Sequence, residues 1–280
     1  MNYAYLHDKI TEHKEIALAT SNRAFKYGDG LFESILVVNQ NPVFMEYNLQ
    51  RLLKGMQLLA IEIPENWDAD FFRSTVQKLC KKNKVKNARC KITVWRSGEG
   101  LYKPEVDSAE LLIELFPHAD SQFVLNTQGL VLGIYDKYLR QIHPLSACKT
   151  CNALHYVLAA KYAYEQNLDD VVLLNTEGKI ADAVGSNVFV VMNNSVFTTT
   201  GMNGGIEGTM QEIICQHATE WSIKLERIEM TKQELLKADE VFLTNAVQGV
   251  KWVKQFEGKE YGNTFSKKLT ELLNTILPVK

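Results

Sequence analysis

Asn187-Val188-Phe189-Val190-Val191-Met192 and Val196-Phe197-Thr198-Thr199 are two runs rich in β-branched and aromatic residues, parted by the polar trio Asn193-Asn194-Ser195. Short runs of this composition, bounded by turn formers, are strands. Working outward, Val171 to Leu174 is another strand on the upstream side. Downstream, glycines at Gly201, Gly204 and Gly205 make a turn, and a helix follows over Gly208 to Trp221. Thr231 with Glu234 has the form of a capping box ahead of Leu235 and Leu236. Glu240 to Thr244 is a last buried strand, and Thr264 to Ile276 a terminal helix.

Nearer the N-terminus, Ser34 to Val38 and Pro42 to Met45 read as strands joined by a turn at Asn39-Gln40-Asn41. Leu49, Leu52, Leu53, Met56 and Leu59 recur at helical spacing. Phe71 to Asn83 is a second helix, and Ala88 to Trp95 and Glu110 to Phe116 are strands. Pro117 to Gln122 is polar and turn-rich. Beyond it come a strand at Leu130 to Ile134 and a helix over Asn152 to Glu165, with Leu154, Val157, Leu158 and Tyr162 on one face. This mixture predicts an α/β (α+β) fold in two domains, a small one over 1–117 and a larger one over 123–280 with a barrel-like sheet.

With 280 residues, the chain is long enough for two modest cores. Lys plus Arg number 31 against 33 for Asp plus Glu, a net charge of -2. That balance argues against bulk nucleic acid or an anionic membrane as the main partner. Met1 to Glu15 carries Asp8, Lys9, Glu12 and Lys14 with no apolar block, so it reads as neither signal peptide nor membrane span. The five cysteines are an odd number in a long chain, which fits a reducing, cytoplasmic compartment.

Three groups of residues carry candidate chemistry. Cys148-Lys149-Thr150-Cys151 has the spacing of a redox dithiol or half a zinc site. Structural zinc needs two more ligands of similar quality, and Cys80 and Cys90 fall in the other expected domain, so no metal is predicted. Gly201, Gly204, Gly205 and Gly208 precede a helix, where backbone N–H groups and the helix N-terminus suit phosphate; an ordinary strand-to-helix turn explains them as well. The third group is Lys149, Asp182 with Asn187, Arg51 and that same turn. Singly, a lysine is a solvated charge, Asp182 a turn residue, and Arg51 a snorkelling side chain. Their joint occurrence, in order, sets them apart.

In that order they resemble the class IV aminotransferase family, the fold type IV pyridoxal phosphate enzymes, which include branched-chain and D-amino acid aminotransferases and aminodeoxychorismate lyase. The resemblance runs from about Asn22 to Val253. It is carried by Asn22 to Ser34, by Asn48-Leu49-Gln50-Arg51-Leu52 with Asn48 in place of the family histidine, and by the lysine segment Pro144 to Asn152. Ala181 to Phe189, Gly205 to Met210 and Glu240 to Ala246 complete it.

The resemblance implies pyridoxal 5'-phosphate held as a Schiff base on Lys149, which also moves the Cα proton. It places Asp182, where the family has glutamate, against the ring nitrogen. It assigns the rest of the cofactor site to Arg51, Asn187, Thr209, Met210, Asn245 and Ala246, and substrate contacts to Tyr27, Ser34 and Arg96, while Tyr102, Lys103 or backbone is expected to read the substrate carboxylate in place of a second arginine. Arg96 matches only the earlier of two expected arginines; Gly100, Leu101 and Tyr102 stand where the second falls. The activity implied is transamination of a small amino acid by a homodimer. The alternatives are the lyase, which releases pyruvate and 4-aminobenzoate from an amino-chorismate substrate, and a cofactor-binding relative that has lost turnover. A redox or zinc module on Cys148 and Cys151 comes third.

Overall fold

The structure is a computed structural model that describes residues 1–277. The chain divides into two compact units, Met1–Gln122 with Cys148–Asn152, and Phe123–Ala147 with Ala153–Ile276. Backbone pairing with the strand that starts at Gly30 carries Cys148–Asn152, and Lys149 with it, into the first unit.

The first unit holds β1 (Tyr3–Leu6), β2 (Lys9–Glu12), α1 (Arg23–Tyr27), β3 (Gly30–Val38), β4 (Asn41–Pro42), α2 (Met45–Leu58), α3 (Ala69–Asn83), β5 (Ala88–Arg96) and β6 (Ala109–Pro117). The strands form one antiparallel sheet in the order β2-β1-β6-β5-β3-β4. Asn39 and Gln40 take positive φ in the expected turn. The expected strand over Pro42 to Met45 is cut to two residues, because Phe44 turns left-handed (φ 54) and Met45 already opens α2. Leu49, Leu52 and Met56 line the buried stripe of α2 and meet Leu31, Ile35 and Val37 of β3 in one core. Gly55 lets α2 approach, since a Cβ there would lie 3.0 Å from the Leu31 side chain. Period two puts Glu33 on that same inward face.

The second unit holds β7 (Leu130–Arg140), α4 (Leu154–Glu165), β8 (Asp170–Asn175), β9 (Ile180–Ala183), β10 (Asn187–Met192), β11 (Ser195–Thr199), α5 (Thr209–His217), β12 (Leu225–Ile228), α6 (Lys232–Lys237), β13 (Glu240–Asn245), β14 (Gly249–Phe256), β15 (Lys259–Glu260) and α7 (Thr264–Thr275). Its mixed sheet runs β12-β11-β10-β13-β14-β7-β8-β9, with β15 on β14. The sheet curls as expected of a barrel-like sheet: the Thr199 hydroxyl of β11 reaches the Ala181 carbonyl of edge strand β9 at 3.4 Å. The capping box forms, with Thr231 Oγ1 accepting from Gln233 N and Glu234 accepting from Thr231 N.

The packed side of α4 is not the one marked by its large aliphatic residues. On α4 the buried residues are Ala159 and Ala163, while Leu154, Val157 and Leu158 point outward at 66%, 59% and 41% exposure. Small residues let the helix lie close against Tyr135, Val171 and Leu173, and the bulkier side chains are left outside. Among the described residues, no helix is long and apolar enough to cross a membrane, and no cluster of three or more His, Cys, Asp or Glu could hold a metal ion.

Candidate active site

Lys149 is fixed by a strand-like splice onto β3. Phe32 N donates to the Lys149 carbonyl at 2.9 Å, Cys151 N donates to the Gly30 carbonyl at 2.8 Å, and Leu31 and Thr150 form the bridge between them. The Lys149 ammonium lies 4.7 Å from the centre of the Phe32 ring. Cys148 and Cys151 are both free thiols. Cys148 is packed in the core, and burial pushes the Cys151 thiol up, against the opposing pull of Lys91. The two thiols of this motif are not joined.

Glu33 is a carboxylate on an apolar face, and α2 answers it with Arg51. Nε meets Oε1 at 2.8 Å and Nη2 meets Oε2 at 2.5 Å. The two side chains are 13% and 2% exposed. Two of the five guanidinium donors are therefore committed to Glu33.

The substrate arginine of the sequence reading is committed elsewhere. Arg96 gives Nε to Asp29 Oδ2 at 3.0 Å, Nη1 to the Ala60 carbonyl at 2.8 Å and to Asp107, and Nη2 to the Leu59 carbonyl at 2.5 Å and Asp29 Oδ1 at 3.5 Å. All five donors are used, so Arg96 is a structural residue. Arg23, buried and not singled out by sequence, shares Asp29 at 2.8 Å and holds the Leu101 carbonyl at 2.7 Å. These two arginines fold the loop 97–107 onto the sheet. Tyr27 packs 5.1 Å beneath the Arg23 guanidinium and 5.6 Å from Tyr102, which is 90% exposed. Ser34 is half-buried on β3 opposite Lys91.

In the second unit, Asp182 sits on β9 at 3% exposure. Its Oδ2 accepts from the Tyr156 hydroxyl at 2.7 Å and from Ile206 N at 3.1 Å. Both donors favour the ionised carboxylate. Burial first, and the Asp182 charge second, hold the Tyr156 phenol well above its usual range, so it remains a donor. Arg140 places its guanidinium 4.9 Å from the Tyr156 ring centre. Sequence gave no signal for Tyr156 or Arg140, because the fold alone brings them to Asp182.

Ile206 belongs to the turn that opens α5. Asn187 Nδ2 donates to the Ile206 carbonyl at 2.8 Å, and its Oδ1 fills the space of a side chain at Gly208, where a Cβ would fall 1.6 Å away. At Gly205 a Cβ would meet the Ala181 carbonyl at 2.4 Å. Gly208 caps α5 without any side-chain bond. The hydroxyl of Thr209, at the first position of the helix, is buried with no hydrogen-bond partner, as is that of Thr244 on β13 opposite Asn187. An unmade bond of this kind costs about 1–3 kcal/mol, and a bare helix N-terminus favours an anion. The cradle fits a phosphate. Met210 is wholly buried. Asn245 is committed to its own turn, its Oδ1 accepting from Val247 N at 3.1 Å and Gln248 N at 2.8 Å, with Ala246 inside that turn.

Comparison with known proteins identifies the family. Residues 30–256 match the family model described as amino-transferase class IV. Aminodeoxychorismate lyase of Bacillus subtilis is 24% identical over 92% of this chain and 88% of its own. D-alanine aminotransferase of Bacillus licheniformis is 24% identical over 96% and 93%. The branched-chain aminotransferase structure from Thermoproteus uzoniensis, solved with norvaline, superposes with a TM-score of 0.88 at 20% identity, covering 97% of this chain and 93% of that one.

Proposed function

The chain belongs to the class IV aminotransferase family, and on that premise we propose that it transaminates a small amino acid with pyridoxal phosphate held on Lys149. The observation that carries the reading is the Thr209 hydroxyl, buried and unpartnered at the mouth of a helix built around Gly208 and Asn187. Bound pyridoxal phosphate supplies an electron sink that loosens the bonds at the amino-bearing carbon. Lys149 Nζ holds the cofactor covalently and serves as the base for the proton on that carbon. Asp182, oriented by Tyr156 and Ile206 N, faces the ring nitrogen as its acid partner. Thr209 and the N–H groups of Thr209 and Met210 take the phosphate, with Arg51 contributing alongside its Glu33 bond. Asn187 shapes the turn, and Asn245 and Ala246 form the second turn at the site. Tyr27, Ser34 and Tyr102 contact the substrate; Arg96 is withdrawn from that role. The outward apolar face of α4 supports assembly as a homodimer.

The test mixes the cofactor-loaded protein with D-alanine, L-glutamate and branched-chain amino donors. Transamination converts the visible spectrum to that of the pyridoxamine form, and Lys149→Ala abolishes the visible band on addition of pyridoxal phosphate. If no donor changes the spectrum while aminodeoxychorismate releases pyruvate, the activity is the lyase. If neither does, the protein binds its cofactor without turnover. A Lys149→Ala protein that keeps the band overturns the site.

A further inference from the structure

Asp182 is one methylene shorter than the glutamate of the family, so its carboxylate reaches about 1.5 Å less far. Its orientation therefore matters more than it would for a longer acid. Two donors converge on one of its oxygens, the Tyr156 hydroxyl at 2.7 Å and Ile206 N at 3.1 Å. A pair of bonds to a single oxygen fixes the rotation of the whole carboxylate. Tyr156 is itself clamped. The guanidinium of Arg140 covers its ring at 4.9 Å, and Arg140 is tied by Nε to the Gly204 carbonyl at 3.0 Å and by Nη2 to the Ser146 carbonyl at 3.4 Å. We propose that Tyr156 is the positioning residue of Asp182, its phenolic O–H locking the short acid in the rotation that meets the cofactor ring, with Arg140 holding the phenol in place. This rests on the cofactor reading above.

The neighbouring charges agree with a fixed donor. Arg140 comes from β7, Asp170 from β8 and His155 from α4; His155 is held below its usual range by burial first and by Arg140 second. Tyr156 keeps its proton throughout, so it orients the acid and transfers nothing.

The experiment uses the full chain loaded with pyridoxal phosphate and two variants, Tyr156→Phe and Asp182→Asn. Phenylalanine removes one oxygen and leaves a ring beneath Arg140. The readouts are the pH midpoint of the visible absorbance change and the dissociation constant for pyridoxal phosphate. Tyr156→Phe moves the midpoint in the same direction as Asp182→Asn, by less, and weakens cofactor binding about 3- to 10-fold, the scale of one hydrogen bond. A Tyr156→Phe protein with wild-type midpoint and affinity, beside an Asp182→Asn protein in which both move, overturns the positioning role and leaves the cofactor reading intact. So does a lowered melting temperature with an unmoved midpoint, the mark of a merely structural residue. If Asp182→Asn moves neither quantity, Asp182 is not at the cofactor and both readings fall.

Discussion

Arg51 and Glu33 meet edge to edge, Nε to Oε1 at 2.8 Å and Nη2 to Oε2 at 2.5 Å, on the core face of β3. Two opposed charges in an apolar layer stand or fall together. Glu33→Ala removes the carboxylate that takes two of the Arg51 donors inside the fold and is expected to cost about 3–5 kcal/mol. The double change Glu33→Leu with Arg51→Leu removes both charges and recovers most of that loss. Urea unfolding of the three proteins measures it, and a single variant within about 1 kcal/mol of wild type, the scale of an exposed pair, refutes the buried-pair account.

Gly208 has a different constraint. Its φ is an ordinary -74, so the requirement is one of space, the Asn187 amide standing 1.6 Å from where a Cβ would go. Gly208→Ala must push Asn187 aside and break its bond to Ile206. The expected cost is about 3 kcal/mol, the upper end for overpacking, together with loss of pyridoxal phosphate affinity. Gly185 is the control, since nothing lies within 4 Å of a Cβ there. Gly185→Ala should stay within ~0.5 kcal/mol of wild type. Equal effects at the two glycines in a thermal melt and a cofactor titration would remove the cradle from the argument.

Much of this was legible in the sequence, for a physical reason. Strands with strong β-branched runs, such as β10 over Asn187–Met192, and helices with a leucine stripe, such as α2, declare themselves locally. A strand whose lysines break the period of two did not, and β14 over Gly249–Phe256 (GVKWVKQF), with Lys251 and Lys254 three apart, went unread. The packed side of α4 left no hydropathy signal, because small alanines mark it where such a pattern looks for leucines. Lys149 and Asp182 were singled out through an ordered motif. Tyr156, 26 positions from Asp182, and the exhausted guanidinium of Arg96 could emerge only from the folded chain, since neither leaves a periodic trace.

Asp170 gives the pH prediction. Burial, against the opposing hydrogen bonds from Val171 N and Val184 N, raises its carboxyl to about 6, and the Asp182 charge adds to the shift. A folded-state value above the unfolded one means that the folded protein binds the extra proton. Stability from this group is therefore fully present below about 4, its unfolded value, and is lost as pH rises through about 6. Asp170→Asn can still accept from both amides and carries no charge, so it should flatten the stability profile between those pH values and be the more stable protein at pH ~7. Chemical denaturation across that range decides; a variant with the wild-type slope would assign the titration to another group.

The outward face of α4 makes the last prediction. Leu154, Val157 and Leu158 are 66%, 59% and 41% exposed on a helix whose inner face is already satisfied by Ala159 and Ala163. A helix that is apolar on both sides is ordinarily covered on both. A second copy covering the three outer side chains would gain roughly 25 cal/mol per Å² of apolar surface removed from water. A single charge placed among them must be buried without a partner. The 31.8 kDa chain is expected to sediment at twice that mass, and Val157→Glu to shift it toward the single chain while leaving its circular dichroism unchanged. A wild-type protein that sediments as a single chain at micromolar concentration would show that another surface, or none, joins the copies.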